Sequence, residues 1–206
     1  MAGKSDSSSE SDGPAAGLPL CSAVGCRLPC RGILASGRTV ILREIRRGDR
    51  ELIEDGFAHL SDRSVFLRFM STRAHLSETE IAQIINDKDQ DHVAIGALAE
   101  ENGTFFLPVG LARFVRLSPG GRRAEAAVTV VDDFQGQGAG RLLIDALAAH
   151  ARRNGIEVLT GIVHAENHAM LHLLRSYDGL REHLSYGEVE FEIPLSEMSG
   201  SGAETS

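Results

Sequence analysis

A glycine-rich stretch, DDFQGQGAGRLL at residues 132–143, places the strongest constraint on how this chain folds and what it binds. It follows a predicted strand at 122–131 and leads into an amphipathic helical pattern at 140–153. Its three glycines permit backbone angles that side chains forbid, and they allow another molecule to approach the main chain closely. The amides of such a turn and the positive end of the next helix favour an anion. The stretch therefore predicts a diphosphate site.

Two familiar phosphate signatures fit this stretch poorly. A nucleotide P-loop has Lys followed by Ser or Thr after its final glycine, whereas Arg141 and Leu142 follow Gly140 here. A dinucleotide site has its glycines early in a β-α-β unit, whereas three predicted antiparallel strands precede this stretch. A turn that only connects strand to helix remains the structural alternative.

The hydrophobic pattern along the chain predicts an α/β (α+β) fold. Its order is a strand, helices, three meandering strands, a helix, a strand, a helix and a hairpin, which gives a mostly antiparallel sheet with one parallel crossover. Ser77 and Glu80 form a capping-box signature before a helix, and 64–69 is an apolar element of undecided type. The predicted strands are 38–45, 91–100, 104–117, 122–131, 156–163, 180–185 and 188–195.

Both ends of the chain are rich in small and polar residues. We predict disordered tails at 1–37 and 196–206, with one folded domain at 38–195. The three cysteines all lie in the first tail, and their spacing, C-x4-C-x3-C, matches no zinc or redox pattern. We interpret them as reduced thiols, since a metal clip would need a fourth ligand that the sequence does not indicate.

The charge of the chain bears on its partners. The formal net charge is −8, and the whole deficit lies in residues 38–206. Because nucleic-acid affinity depends on neutralising phosphates, an acidic domain argues against it and suits a cationic partner such as an amine. No apolar run reaches the length of a membrane span, and the N-terminus does not resemble a secretory signal. We expect a cytoplasmic protein without membrane contact.

Residues Gln135–Gly140 resemble the Q/R-x-x-G-x-G/A signature of the GNAT superfamily of N-acetyltransferases. The resemblance implies a GNAT-like fold with a V-shaped cleft and acetyl-CoA as cosubstrate. Within the superfamily, residues 67–71, 89–100, 122–143 and 165–174 are similar to bacterial Pat-type protein lysine acetyltransferases. That similarity implies a protein lysine as acceptor, although the chain has no room for the extra domains that many Pat homologues carry.

The resemblance also implies roles for individual residues. Glu125 matches the catalytic glutamate of the Pat pattern, and an acid inside an apolar strand is costly unless it has a partner or a task. We predict that it is the general base; the alternatives are a solvated edge charge or a pair with Arg122 or Arg123. The residues that the resemblance assigns to acetyl-CoA are Val130, Val131, Gln135, Gly136, Gln137, Gly138, Ala139, Gly140, Arg141 and Asn167.

The position at which many GNAT enzymes have a tyrosine general acid is Leu174 in this chain. Tyr177 lies three residues further on, and we interpret it chiefly as a packing residue. His164, at the end of a predicted strand, is an alternative base. His168 and His172 have the i, i+4 spacing of a metal pair but no evident carboxylate companion, so we predict no metal.

These inferences predict direct transfer of an acetyl group from acetyl-CoA to an amine, with a protein lysine as the favoured acceptor. Two alternatives stay open: acetylation of a small amine such as a polyamine or an aminoglycoside, and a non-catalytic module that binds acyl-CoA and regulates a partner. The protein is expected to be a monomer or a homodimer. The sequence does not identify the acceptor or the preferred acyl chain.

Overall fold

A computed structural model of the protein describes residues 17–21, 26–86, 90–101 and 105–198. Eight strands form one sheet in the order β1-β2-β3-β4-β5-β6-β8-β7. All neighbouring strands are antiparallel except β5 and β6. The strands are β1 Cys30–Ile33, β2 Thr39–Glu44, β3 His92–Glu101, β4 Phe105–Arg116, β5 Arg123–Val130, β6 Val158–His164, β7 Arg181–Ser185 and β8 Glu188–Pro194. This confirms the predicted mixed, mostly antiparallel sheet.

Five α-helices flank the sheet: α1 Arg50–Ala58, α2 Asp62–Phe69, α3 Glu78–Asn86, α4 Ala139–Arg153 and α5 His168–Leu174. The apolar element of undecided type is thus helix α2, and the hydroxyl of Ser61 accepts from the amide of Ser64 at its start. None of the helices in the described ranges is long and apolar enough to cross a membrane.

Two hydrophobic clusters cover the two faces of the sheet. The larger contains the alanine-rich face of α4, which packs on β3, β4 and β5. The smaller joins α1 and α3 to the sheet, with Ile53, Ile81 and Ile84 among its buried residues. The separation matters because α4 leaves the glycine-rich stretch on one face, while α1 and α3 cover the other.

The segment before residue 38 corrects the predicted domain boundary. Strand β1, Cys30–Ile33, pairs with β2 along its whole length, so the predicted disordered tail is wrong there. Cys30 and Leu34 are buried in the main core, which stabilises a strand too short to show periodicity in the sequence. At the other end, Met198 is buried and its carbonyl accepts from Arg152, so the packed chain also extends past 195.

The cysteines also differ from the prediction of reduced thiols in a flexible arm. Cys21 and Cys26 form a disulfide, and the Sγ of Cys30 lies 2.9 Å from the Sγ of Cys26. Burial raises the pKa of Cys30 to about 11, although the charge of Arg153 opposes the shift. Cys26 and Cys30 are therefore part of the core beside β1, where apolar packing and not redox spacing accounts for their burial.

The capping box that begins α3 is confirmed. The amide of Glu80 donates to the hydroxyl of Ser77 at 3.3 Å, and the carboxylate of Glu80 accepts from the amide of Ser77 at 2.9 Å. Burial would raise the pKa of Glu80, but bonds from Ser77 and Arg73 outweigh it and lower that pKa to about 2. The charged form of Glu80 therefore stabilises the folded state.

Replacing Glu80 by Gln should remove a contribution to the free energy of unfolding that is present at neutral pH and lost in acid. Because the folded pKa lies below the ordinary value of 4.5, the contribution is complete above about pH 4.5 and is lost as the pH falls towards 2. We expect Glu80→Gln to lower the free energy of unfolding at pH 7 by on the order of 1–2 kcal/mol after solvent screening. Urea unfolding from pH 7 to pH 3, with the exposed Glu190→Gln as control, measures this; equal pH slopes for wild type and Glu80→Gln would contradict it.

The separation of β5 from β6 creates the main cleft. The two strands pair in register only from Arg123 opposite Val158 to Glu125 opposite Thr160, and then diverge. On its other side β5 stays paired with β4 as far as Val130. The resulting V-shaped opening, as predicted, is lined by the inner residues of β5 and β6 and by α4 and α5.

Candidate active site

The glycine-rich stretch forms a left-handed turn that leads directly into α4. Gly136 has φ +70° and Gly138 has φ +88°, values that side chains rarely adopt. Apart from the adjoining residues, no atom of the described part of the chain lies within 4 Å of a Cβ built on either residue, so both glycines are required for the backbone path and not for internal packing. Gly140 differs: a Cβ there would lie 3.0 Å from Leu173, which fixes the close approach of α4 and α5.

The amides of this turn are free to bind an anion. Among the described residues, none accepts a hydrogen bond from the backbone N–H groups of residues 136–141. Two contacts hold the turn in place: the side-chain amide of Gln135 donates to the carbonyl of Val130 at 3.1 Å, and the carbonyl of Gln137 accepts from the amide of Ala35 at 2.9 Å. Six unused donors at the positive end of α4 fit a diphosphate, which would satisfy them together.

The Arg141 side chain is directed along the first turn of α4 towards the end of α5. Its guanidinium donates to the hydroxyl of Ser176 and lies 4.8 Å from the ring centroid of Tyr177. Its charge also lowers the pKa of the neighbouring Asp145 carboxyl, against the larger raising effect of burial. Arg141 thus has structural partners here, and a phosphate contact for it stays a prediction.

The main chain of β5 presents polar groups to the cleft. The amide of Val131 donates to Val109 and the carbonyl of Arg123 accepts from Leu117, so odd-numbered residues of β5 face β4. Even-numbered residues therefore direct their N–H and C=O groups towards β6, which has moved away by Val128 and Val130. A thin amide-containing chain such as pantetheine could pair with these groups as an added strand does.

Val131 does not fit the main-chain contact that was predicted for it. Its N–H donates to Val109 and its carbonyl accepts from Phe134, so both of its groups are used, and its side chain is buried. The cause is that odd-numbered residues of β5 hydrogen-bond to β4, so the main-chain groups of Val131 point towards β4 and away from the cleft. Val128, one even position before Val130, lines the cleft and was not among the predicted residues.

Asn167 lies across the cleft at the start of α5. Its side-chain oxygen accepts from the amide of Met170 at 3.1 Å, which caps the helix. Its NH₂ group has no acceptor among the described residues and lines the cleft together with Leu174. It is placed to donate to a molecule in the cleft while it caps α5.

Glu125 occupies the last paired position before β5 and β6 diverge. Its two basic neighbours pair elsewhere, Arg122 with Glu157 and Arg123 with Glu192, so the proposed pairing of Glu125 with either is not seen. In the described part of the chain the Glu125 side chain has no ion pair or hydrogen bond, and it is exposed to solvent. It lines both the cleft and a second pocket on the α3 side of the sheet, which we call the Glu125 pocket.

A further cavity of about 250 Å³ lies beneath α1 and α3, and we call it the helix-side cavity. Its floor is β4 and β5, with Ala127 and Thr129 on the same strand face as Glu125. It shares wall residues Arg68 and Arg113 with the Glu125 pocket, and Arg68 also borders the cleft. Arg68 therefore lies where the three spaces meet, and Glu125 lies between the cleft and the Glu125 pocket.

Arg68 and Arg113 were not predicted as site residues. Arg113 lies in the apolar strand β4, opposite Ala127 of β5, and Arg68 lies in α2. A charge inside an apolar strand was the signal used for Glu125, and the same reasoning applied to β4 would have found Arg113. No comparable signal marks Arg68, because helix α2 was not recognised.

Tyr177 is a packing residue, as expected. It is only 3% exposed, and its hydroxyl donates to the carboxylate of Asp145 at 2.8 Å inside the core. Burial raises the pKa of Tyr177, and the neighbouring Asp145 raises it further. It is absent from the residues that line the cleft, so it has no path for giving a proton to a group there.

Removing the Tyr177 hydroxyl should affect stability and not turnover. We expect Tyr177→Phe to lower the free energy of unfolding by about 1–3 kcal/mol, because the buried Asp145 carboxyl loses its donor. Its kcat should stay within about threefold of wild type, measured with acetyl-CoA and any accepted amine. A tenfold fall in kcat at unchanged acetyl-CoA affinity would instead identify Tyr177 as the acid.

The histidines do not assemble into a second centre. His164 packs edge-on against Phe66, and its Nδ1 accepts from the amide of Glu166, so it is held near the end of β6. His168 and His172 are exposed on α5. Among the described residues, the one group of three metal-ligating side chains is the cysteine cluster, whose sulfurs lie within 4.8 Å of one another.

A split sheet with free amides at a helix start, and a carboxylate where the strands diverge, defines the class of acyl-CoA-dependent transferases. The model of the acetyltransferase (GNAT) family matches residues 60–178. The chain belongs to this family and is an N-acetyltransferase that depends on acetyl-CoA.

Relatives and solved structures support this membership. The chain is 33% identical over 137 residues to acetyltransferase PA5475 of Pseudomonas aeruginosa, covering 66% of this chain and 73% of that protein. It is 28% identical to acetyltransferase Pat of Mycolicibacterium smegmatis, covering 77% of this chain but only 47% of Pat. The GNAT domain of S. lividans PAT superposes with a TM-score of 0.71 at 26% identity, covering 80% of this chain and 96% of that domain.

Proposed function

We propose that the protein transfers an acetyl group from acetyl-CoA to a primary amine, with Glu125 as general base. The observation that carries the proposal is the position of Glu125, unpaired, at the point where β5 and β6 separate. A carboxylate there can contact both a molecule in the cleft and one in the Glu125 pocket. The Glu125 side chain is exposed to solvent, so an amine that enters from either space can reach it.

Acetyl-CoA supplies the acetyl group as a thioester. The amides of 136–141 would hold its pyrophosphate, and the main chain of Val128 and Val130 would pair with its pantetheine arm. Asn167 would donate to the same arm from the other wall of the cleft. The amides of 136–141 have no acceptor among the described residues, and Val128 and Asn167 line the cleft. At Val130 only the N–H is left for a ligand, because Gln135 already donates to its carbonyl.

The chemical step needs one proton transfer by the protein. An amine bound in the Glu125 pocket loses a proton to the carboxylate of Glu125, because its unperturbed pKa near 10.4 would otherwise keep it charged. The nitrogen then attacks the thioester carbon, a C–N bond forms, and the C–S bond breaks; the nitrogen gives its second proton to the departing CoA thiolate, so CoA leaves as the thiol. A thiolate is a stable enough leaving group that the absence of a tyrosine at Leu174 does not block the step.

We further propose a lysine side chain of a protein as the acceptor. Support comes from the similarity to Pat over its acetyltransferase region, which two comparisons share. A small amine is the second candidate, favoured by the helix-side cavity of about 250 Å³, which would hold a molecule of amino-acid size. The cytoplasmic location and the absence of a metal also stay predictions.

Product analysis tests the proposal directly. Purified protein is incubated with isotopically labelled acetyl-CoA and a protein extract, or with a panel of free amines. The appearance of N-acetylated products by mass spectrometry, with one CoA thiol released per product, supports the proposal. Acetyl-CoA binding by calorimetry without any acetylated product would instead support the regulatory module, and no binding at millimolar concentration would remove both.

A further inference from the structure

The strongest unexplained feature near the site is a pair of arginines without acidic partners. The side chains of Arg68 and Arg113 make no hydrogen bond or ion pair with any described residue, and the Nε of Arg68 is fully buried. A buried polar atom without a partner is rare in folded proteins and calls for an explanation. The Arg68 guanidinium lies 4.9 Å from the centroid of the Phe69 ring.

The other charges that line the helix-side cavity are neutralised within the protein. Arg43 forms a two-bond pair with Asp49 at 2.7 and 2.8 Å, and Glu80 is bound by Arg73 and Ser77. This leaves the unpaired charges of Arg68 and Arg113 against the single carboxylate of Glu125. The acceptor side of the site is therefore locally positive, although the chain as a whole is acidic.

The electrostatics of Arg68 agree with this reading. Burial, and to a smaller extent the charges of Arg113 and Arg73, lower its pKa to about 10, while the carboxylates of Glu125 and Glu80 act in the opposite direction. The two arginines thus repel each other across the space that they line. An anion placed between them would relieve that repulsion and satisfy the buried Nε.

We propose that Arg68 and Arg113 form an anion subsite that binds a carboxylate of the acceptor while its amine faces Glu125. This inference rests on the proposed acetyl transfer and specifies its substrate class: an amine that carries a carboxylate nearby. Arginine suits this task because its planar fork binds a carboxylate through two parallel hydrogen bonds. The carboxylate can come from a free amino acid or from an acidic residue beside a lysine in a protein.

Matched acceptors test the subsite. Each of three acids, 4-aminobutyrate, 6-aminohexanoate and L-alanine, is compared with the amide in which its carboxylate is replaced by a carboxamide. We expect kcat/KM for at least one acid to exceed that of its amide by at least about tenfold, since charge-assisted bonds are lost with the charge. Which spacing gives the largest ratio reports the distance from amine to carboxylate. A parallel arm compares peptides in which Lys is flanked by Glu or by Gln. A preference confined to the free acids indicates the small-molecule source, and one confined to the peptides indicates the protein source.

Variants link the preference to the arginines. Arg113→Gln should reduce the acid-to-amide ratio to within about twofold, and Arg68→Lys should reduce it less, because it keeps the charge without the fork. Arg175→Gln, which removes an exposed arginine paired with Glu182 outside all three spaces, should leave the ratio unchanged. An acid-to-amide ratio near one in the wild type, or an unchanged ratio in Arg113→Gln, would overturn the proposal.

A binding measurement keeps this test separate from catalysis. Calorimetry of hexanoate added to the protein with CoA present should show binding that is lost in Arg113→Gln and kept in Arg175→Gln. Turnover of neutral and acidic amines at equal rates would contradict the subsite but leave the acetyltransferase proposal unaffected. Hexanoate binding without turnover of any amine would support the subsite but contradict the acetyltransferase proposal. Hexanoate that does not bind would count against the subsite.

Discussion

Glu125→Gln is expected to lower kcat by about 10²- to 10³-fold, because the amide keeps the shape of the side chain but cannot accept the proton of the amine. Affinity for acetyl-CoA should change little, since the predicted cofactor contacts come from the turn at 136–141 and from the main chain of β5. Turnover and calorimetry on the same preparation measure the two effects. The position of Glu125 at the end of the β5–β6 pairing is the structural reason for the expectation.

Glu190→Gln is the matched control for this change. Glu190 is an exposed glutamate on β8 and is absent from the residues that line the cleft and the Glu125 pocket. It should have wild-type kcat and wild-type affinity. If Glu125→Gln kept more than half of the wild-type kcat, the base would have to be another group, and His164 would be the next residue to test.

Gly138→Ala is expected to weaken acetyl-CoA binding by roughly 10- to 30-fold, as seen by calorimetry with CoA. An alanine can hold φ +88° only at a cost of about 1–2 kcal/mol, so the turn either stays strained or shifts its amides away from the pyrophosphate. Its new methyl group would also project from the turn, where no protein atom lies within 4 Å. The strain lowers the stability of the folded turn, whereas shifted amides or a projecting methyl group weaken CoA binding.

Gly120→Ala separates backbone strain from binding. Gly120 also has a left-handed backbone, φ +67°, and open space around its Cβ position, but it lies in the turn between β4 and β5. We expect a similar loss of stability in both variants and unchanged CoA affinity in Gly120→Ala. Equal CoA affinity in wild type and Gly138→Ala would mean that the turn serves the fold alone.

The sequence predicted the parts of the site that depend on local chemistry. The glycine-rich turn, the strand before it and helix α4 could be recognised because backbone angles and helical periodicity are properties of neighbouring residues. The capping box of Ser77 and Glu80 is a second such case, and it is confirmed. The divergence of β5 and β6 followed from the resemblance and not from periodicity.

The features that were missed depend on contacts between distant segments. Strand β1 has only four residues, and its stability comes from pairing with β2 and from the burial of Cys30. Val131 cannot offer main-chain groups to a cofactor because they bond to neighbouring residues of the protein. Which residues of β5 bond to β4 depends on how the two strands pair, and the sequence of one strand does not reveal it. Arg68 and Arg113 are separated by a helix and a strand in the chain, so their common cavity emerged only from the fold.

The bond between the Ala35 amide and the Gln137 carbonyl joins two turns that are about a hundred residues apart in the sequence. The shape of the anion-binding turn is thereby tied to completion of the outermost hairpin, far from any reacting atom. A chain that had folded only its central strands would lack this brace and would hold CoA poorly. Because a ligand that binds only the folded chain stabilises it, CoA bound at this turn would favour the fully assembled sheet over partly formed states.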